Sequence, residues 1–250
     1  MELEILGLLF CVGLMAGTLD AIAGGGGLLS VPALISAGLP PAQVLATNKA
    51  QSVCGTVSAA HYFWKQGLID RQFVLPSAIG ALIGGATGSV LILSLNAEML
   101  SRLIPFLLIA FAIYFAFSPK ISDQDHPPRM TANTFAMSFA VIIGTYDGFF
   151  GPGTGSFFTL ACVSIMGFSL LKATAHAKVF NVCSNSGALL MFMANGQVVW
   201  QVAGFMVAGQ LIGAQIGARL ANFHGKRLIK PVLVTITLVM SAKLLAQHWL

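Results

Sequence analysis

Apolar stretches about as long as a membrane-spanning helix follow one another along almost the whole chain. Of the 250 residues, 56% are hydrophobic and only 8% are charged, whereas a soluble domain carries roughly 25% charged residues. A helix needs about 20 mostly apolar residues to cross a bilayer, and these stretches lack the alternating pattern of transmembrane β-strands. The sequence therefore predicts an all-α polytopic membrane protein in contact with membrane lipid.

The stretches form two groups on either side of one polar linker. The linker covers 119–132 and separates a first membrane repeat, 1–118, from a second, 133–250. Each group contains four long segments and one short segment that cannot cross a bilayer alone. The segments are predicted at about 4–22, 27–38 (short), 42–64, 71–95 and 98–118, and at about 133–151, 154–168 (short), 172–194, 200–222 and 226–248.

The two groups share a sequence pattern. An offset of 127 residues places Asp147 on Asp20 and Gly151 on Gly24, and an offset of 129 later places Lys178 on Lys49. The matches remain in the same order along both groups, and they include a pattern of small residues suited to close helix packing. These small residues are Gly80, Gly84 and Gly88 in the first group and Gly209, Gly213 and Gly217 in the second. An internal duplication of this kind is typical of secondary transporters.

Loop charges predict how the two groups are oriented. Lys65 and Arg71 flank one loop of the first group, whereas the equivalent loop of the second group, 195–200, has no charge. The next loop reverses this, because Lys226 and Arg227 belong to the second group. Since basic loops tend to lie on the cytoplasmic side, the pattern predicts two inverted-topology repeats, each with about four long helices and one short broken or re-entrant helix. Parallel repeats with the short segments as shallow dips are the alternative.

Two carboxylates lie inside apolar segments, and both occupy the same repeat position. Asp20 and Asp147 each precede a cluster of glycines, while the other acidic residues belong to chain ends or loops. A charge at the bilayer centre costs at least ~2.5–3.5 kcal/mol, so such residues usually face a cavity or a partner. The two aspartates therefore either couple transport to protons or substrate, or cap the short helices that follow them.

The glycine clusters predict helix breaks with exposed backbone N–H groups. A break at Gly25, Gly26 and Gly27 with a restart near Leu28 would present the positive end of a short helix to an anion. A break in the second group, at Gly153, Thr154, Gly155 and Ser156, would do the same. Close packing of membrane helices is the other explanation for such glycines.

Each group also carries one lysine within a polar helix face. The faces contain Asn48, Lys49, Gln51 and Ser52 in the first group and Thr174, Lys178, Asn181 and Asn185 in the second. A lysine supplies donors and a positive charge suited to an oxyanion, although a structural Lys–Asp pair is the alternative. His176 is a candidate for proton coupling because histidine titrates near neutral pH, but it could equally be a hydrogen-bonded spectator. Its position corresponds to Thr47 or Lys49, depending on the offset, so the predicted site is not symmetric.

Several other classes of protein receive no support. The chain has no phosphate-binding Walker motif, no zinc-type histidine pair and no orderable Ser-His-Asp set, so we predict neither an enzyme nor an ATP-driven pump. We expect no metal and no cofactor. The four cysteines lie in apolar segments without metal-ligand spacing and are interpreted as small core residues. The net charge of +5 comes largely from loops, which indicates topology rather than nucleic-acid binding.

These residues together resemble the TauE/SafE family of membrane transporters, often called sulfite exporters. The resemblance covers nearly the whole chain. It rests on Asp20 to Gly27, Ala46 to Lys49 with Gln51 and Ser52, Gly151 to Gly155, and Ala173 to Asn181. The resemblance implies secondary transport of small sulfur-containing anions, such as sulfite or organosulfonates, across a bacterial inner membrane.

The leading hypothesis is therefore a secondary transporter for a small oxyanion, working by alternating access. The two glycine breaks and the two lysines would bind the anion, and the neutral polar residues of the lysine helices would add hydrogen bonds. A passive anion channel and a non-transporting membrane scaffold or partner subunit are the alternatives. The sequence leaves the oligomeric state open, with a homodimer among the choices.

Overall fold

The structure, a computed structural model, describes residues 3–96, 98–100, 103–104, 106–107 and 125–224. All regular secondary structure in these ranges is helical. The long and short helices are α1 (Leu3–Ala23), α2 (Gly27–Ser36), α3 (Pro41–Lys65), α4 (Arg71–Leu93), α5 (132–149), α6 (Thr154–Ser164), α7 (Leu170–Ala194) and α8 (Trp200–His224). Helix α5 contains a π-helical turn over Ala136–Ala140 between two α-helical parts, Ala132–Phe135 and Val141–Phe149.

The helix boundaries agree closely with those predicted from apolar length. The largest difference is at the end of α6, which stops at Ser164 rather than at 168. The predicted segment at 98–118 lies largely outside the described residues, and the one at 226–248 lies wholly outside them. Thus α1 to α4 belong to the first half of the chain, and α5 to α8 belong to the second half.

Local sequence explains where the long helices begin and end. Proline at the first helical position of α3, Pro41, has no N–H to leave unpaired. Asp70 caps α4 by accepting a hydrogen bond from the backbone N–H of Gln72 at 2.9 Å. The helices α3 and α7 are followed by Gly67 and Gly196, both with positive φ, which glycine adopts without steric cost.

Glycines bring two pairs of helices into very close contact. In α4, Gly80, Gly84 and Gly88 lie against backbone carbonyl oxygens of α5, and in α8 the equivalent Gly209, Gly213 and Gly217 lie against those of α1. A Cβ atom added at any of these six positions would lie 1.9–2.3 Å from a carbonyl oxygen, which is closer than two such atoms can approach. The small-residue pattern therefore allows each half to pack one of its helices against a helix of the other half.

Contacts along the helices also give their relative directions. Helix α1 runs parallel to α8, since Gly13 lies beside Met206 and Gly17 beside Gln210. Helix α3 also runs parallel to α8, because successive hydrogen bonds link Thr47 to Val199, Ser58 to Gln215 and Tyr62 to Asn222. In the same way α4 is parallel to α5, through the contacts of Gly80 and Gly88 with Ala136 and Thr145. Five of the six long helices that the structure describes thus form two sets, one containing α1, α3 and α8 and the other containing α4 and α5.

The outer surfaces of these helices are apolar. Helices α1 and α4 are each long and apolar enough to cross a membrane. Large hydrophobic side chains of α4 and α8 are exposed on the outside, namely Leu75, Ile79, Ile83, Val90, Leu211, Ile212 and Ile216. Such continuous apolar faces are typical of contact with lipid.

A methyl group at the α4–α5 contact should destabilise the protein. In Gly88→Ala the new Cβ would lie 1.9 Å from the carbonyl oxygen of Thr145, so the helices must separate. We expect a loss of about 1–3 kcal/mol, measured as a lower thermal unfolding temperature in detergent. The control is Gly204→Ala in α8, where nothing lies within 4 Å of the added atom. Equal stability of the two variants would contradict the close contact.

Candidate functional site

Each half of the chain has a break between its first and second helices. Helix α1 ends at Ala23 and α2 begins at Gly27, with Gly24 between them at φ 74°. Helix α5 ends at Phe149 and α6 begins at Thr154, with Gly151 at φ 100° and Gly153 at φ 85°. Positive φ is readily adopted only by glycine, which explains why both breaks are glycine-rich.

The two breaks touch each other. A Cβ added to Gly24 would lie 2.4 Å from the Cα atom of Gly155, and one added to Gly27 would lie 3.0 Å from the Cα atom of Pro152. The hydroxyl of Ser156 donates a hydrogen bond to the carbonyl oxygen of Ala23. The breaks therefore form one continuous region built from both halves.

The lysine of α3 pairs with the aspartate of α5. The Nζ atom of Lys49 lies 2.7 Å from Oδ1 of Asp147, and the two side chains are 1% and 2% exposed. The other carboxylate oxygen of Asp147 accepts a hydrogen bond from the hydroxyl of Ser184 in α7. Asp147 is thus held by two helices other than its own.

The lysine of α7 pairs with the aspartate of α1. The Nζ atom of Lys178 lies 3.4 Å from Oδ2 of Asp20 and also donates to the backbone carbonyl oxygen of that residue. The remaining oxygen, Oδ1, accepts a hydrogen bond of 3.4 Å from the backbone N–H of Gly26. One amide of the first glycine break is therefore occupied by the aspartate that precedes it, as expected for a cap.

Both ion pairs cross between the halves. Each lysine binds the aspartate of the other half, so these four buried charges are neutralised across the two halves. Removing one member of a buried pair typically costs about 3–5 kcal/mol, because the other charge is left without a partner. The two pairs therefore hold the halves together at this region as well as supplying charge.

A polar cavity lies between the breaks and the lysine helices. Its walls come from α1, α3, α5, α7 and the first turn of α2. The lining residues are Asp20, Gly24, Gly27, Asn48, Lys49, Ser52, Asp147, Gly151, Asn181 and Asn185. Lys178 is not among them, although its Nζ atom lies 3.4 Å from the carboxylate of Asp20. The cavity wall thus combines one lysine and two aspartates with neutral hydrogen-bonding groups from both halves.

Neutral polar side chains form a network beside the charges. The carboxamide oxygen of Asn48 accepts hydrogen bonds from the hydroxyl of Ser30 at 2.5 Å and from the side-chain nitrogen of Gln51 at 3.1 Å. The side-chain nitrogen of Asn185 donates to the backbone oxygen of Asn181 at 2.8 Å. Gln51 thus supports a cavity residue rather than lining the cavity itself.

Other predicted site residues lie around the cavity without lining it. The hydroxyl groups of Thr174 and Thr154 bond to backbone carbonyl oxygens of Leu170 and Gly151. The break residues outside the cavity wall are Gly25, Gly26, Leu28, Gly153, Gly155 and Ser156. Within the described ranges no three His, Cys, Asp or Glu side chains come together as a metal site.

His176 lies apart from the cavity, among aromatic rings at the start of α4. Its Nε2 atom accepts a hydrogen bond from the backbone N–H of Asp70 at 2.9 Å, and its Nδ1 atom bonds to the backbone oxygen of Lys172 at 2.8 Å. Its ring stacks on that of Phe168, with centroids 4.7 Å apart. The equivalent Thr47 accepts the backbone N–H of Val199 at 3.2 Å. Both residues therefore fix the start of a helix of the other half.

Four residues outside the predicted site contribute to it. Gly24 and Gly151 line the cavity, and the repeat alignment could have identified them because they match at the same offset as the aspartates. Ser30 and Ser184 bond to Asn48 and Asp147, but single serines in apolar helices carry no signal of this role.

Comparisons with known proteins agree on one family. The profile of the family described as "Sulfite exporter TauE/SafE" matches residues 9–244. A probable membrane transporter protein of Haemophilus influenzae is 42% identical over 99% of this chain and 97% of its own length. The probable membrane transporter protein YfcA of Escherichia coli is 43% identical over 98% of this chain and 94% of its own. No solved structure matches the chain significantly.

The family profile and these relatives each match nearly the whole length of the chain. The apolar helix faces and the buried charged cavity agree with the transporter names of these relatives. The chain therefore belongs to the TauE/SafE sulfite exporter family of membrane transporters.

Proposed function

We propose that this protein is a secondary transporter of small sulfur-containing oxyanions, sulfite or organosulfonates, in the bacterial inner membrane. The observation that carries the proposal is the cavity between the two helix breaks, where each lysine binds the aspartate of the other half. The name of the family supports the substrate class. A cavity shared by two halves is also where substrates bind in transporters built from repeats.

Alternating access would follow from two multi-pass halves in inverted orientation. In one set of parallel helices α1 and α3 come from the first half and α8 from the second, and in the other set α4 comes from the first half and α5 from the second. If the repeats were parallel, all these helices would point the same way. Yet α3 and α4 are long helices joined only by residues 66–70, and such a short connection reverses the direction of the chain. This contradiction supports inverted repeats.

The anion would bind to groups that are already buried in the cavity wall. Lys49 supplies the positive charge in the cavity wall, and Asn48, Ser52, Asn181 and Asn185 supply neutral hydrogen-bonding groups. Because Lys49 is already buried and paired with Asp147, an oxyanion that approaches it adds no new buried lysine charge. The first turn of α2 at Gly27 faces the same cavity, and a helix N-terminus favours negative charge.

Transport should depend on both buried lysines. We expect saturable uptake of labelled sulfite and of small sulfonates into proteoliposomes, reduced about tenfold or more in Lys49→Ala and Lys178→Ala, since a hydrogen bond to a charged group is worth about 1.5–3 kcal/mol. The control is Lys172→Ala, which removes a partly exposed lysine of α7. Unchanged uptake in both variants would refute the role of the lysines. Uptake that never runs against a gradient would favour a passive channel.

A double substitution separates a structural ion pair from a functional one. Lys49→Met should lower the free energy of unfolding by about 3–5 kcal/mol, because Asp147 is left buried and unpaired. Lys49→Met combined with Asp147→Leu should recover most of that stability, since no unpaired charge remains. We expect the double variant to unfold near the wild-type temperature and to remain without uptake. Recovery of both stability and uptake would identify the pair as purely structural.

An inverted arrangement would place equivalent loops on opposite sides of the membrane. Gln66 and Asn195 are exposed residues at equivalent positions after α3 and α7. In a cysteine-free background, we expect only one of Gln66→Cys and Asn195→Cys to react with a membrane-impermeant maleimide applied to the outside of intact cells. The other should react only when the reagent is applied from the inside. Reaction of both from the same side would refute inversion and favour parallel repeats.

A further inference from the structure

The two carboxylates of the cavity are held with unequal firmness. Asp147 is 2.7 Å from its lysine, accepts a second hydrogen bond from Ser184, and has a side chain only 2% exposed. Asp20 is 3.4 Å from Lys178, accepts a 3.4 Å bond from a backbone N–H, and has a side chain 12% exposed. Asp20 is therefore the more weakly bonded of the two and the more accessible from the cavity.

The sequence accounts for this difference. Under the offset of 129, the counterpart of Ser184 is Gly55, which has no hydroxyl to offer Asp20. The space beside Gly55 is filled by the side chain of Gln210, since a Cβ added to Gly55 would lie 2.4 Å from Cγ of Gln210. The counterpart of Gln210 is Ala81. The first half thus has Gly55 and Ala81 where the second half has Ser184 and Gln210.

Charge balance limits what the cavity can accept. Lys49, Lys178, Asp20 and Asp147 together carry no net charge when all are ionised. An anion entering this buried region would add one negative charge without a partner, which is costly in a medium of low polarity. One proton on one carboxylate restores the balance. The protonated carboxylate must therefore be one whose ion pair with lysine is weak enough to break.

We propose that Asp20 takes up this proton when the anion binds, while Asp147 stays ionised and bound to Lys49. The proton comes from the aqueous side to which the cavity opens, and it leaves with the anion on the other side. A monovalent anion is therefore carried with one proton in the same direction. This inference rests on the proposed transport function and assigns its coupling to one of two equivalent residues.

Within the described ranges, few ionisable groups face Asp20. Lys178 approaches from α7, and Lys49 and Asp147 lie across the cavity on α3 and α5. Helix α2 has no ionisable side chain. On the other helices packed around α1, Arg219 of α8 is exposed on the outer surface. Cys162 of α6 belongs to the hydrophobic cluster that contains Phe73, and the ring of His176 of α7 lies against Phe73. Among the described groups, the charge of Asp20 therefore depends mainly on Lys178 and on the charge of the cavity contents.

The first test counts protons in the wild-type protein. The probe is methanesulfonate, whose sulfonate group remains ionised throughout, so that any proton taken up belongs to the protein. Calorimetric titrations in buffers of different ionisation enthalpy should show about one proton bound per anion, and the dissociation constant should rise about tenfold per pH unit where free Asp20 is ionised. Proton uptake near zero, with an affinity independent of pH, would overturn the proposal.

The second test identifies the carboxylate. In Asp20→Asn the affinity for methanesulfonate should lose its pH dependence, and a pH gradient should no longer drive accumulation in proteoliposomes. Asp20→Glu retains a carboxyl group and should retain the pH dependence. The matched control is Glu4→Gln, which removes an exposed carboxylate from the same helix and should leave the pH dependence intact.

The outcomes distinguish this inference from the function on which it rests. If Asp20→Asn keeps the pH dependence, or if Asp147→Asn is the variant that loses it, the assignment to Asp20 is wrong although transport stands. If the wild-type protein neither binds nor carries methanesulfonate or sulfite, the proposed function itself fails. If Asp20→Asn does not fold, the proton count in the wild type and the behaviour of Asp20→Glu still decide.

Discussion

Two buried Lys–Asp pairs, each formed between the halves of the chain, are the constraint on which the rest of this structure depends. A lone lysine or aspartate inside a membrane protein is costly, and a pair repays that cost only when its geometry is held by other groups. Here the lysines occupy long helices and the aspartates precede helix breaks, so the pairs form only when all four helices are assembled. The charges that make the cavity useful therefore also determine how the halves meet.

The glycines are necessary for the two halves to pack together. At Gly24 and Gly155 the backbones of the two breaks approach so closely that neither residue could carry a side chain. At Gly84 and Gly213 the same requirement brings α4 against α5 and α8 against α1. Without a hydrophobic driving force between helices in lipid, close backbone packing is a main source of attraction. The glycines thus supply close packing around the charged cavity.

The sequence predicted the helices well because apolar length is a local property. The breaks were also predictable, since a cluster such as Gly24 to Gly27 after Asp20 cannot continue a helix at little cost. The pairing of each lysine with the aspartate of the other half was not predictable. Nothing in the sequence around Lys49 or Lys178 indicates which aspartate each will contact. That depends on how the halves pack. The position of His176 depends on packing for the same reason, as its partners Asp70 and Phe168 lie on other segments.

Two differences between the halves have opposite consequences. Thr47 and His176 differ in chemistry yet make the same contact, each accepting a backbone N–H at the start of a helix of the other half. That exchange leaves the architecture unchanged. The exchange of Ser184 for Gly55 does not, because it removes a hydrogen bond from one carboxylate only. With two identical pairs, a proton would have no preferred carboxylate. Unequal pairs let one aspartate maintain the contact between the halves while the other changes its charge.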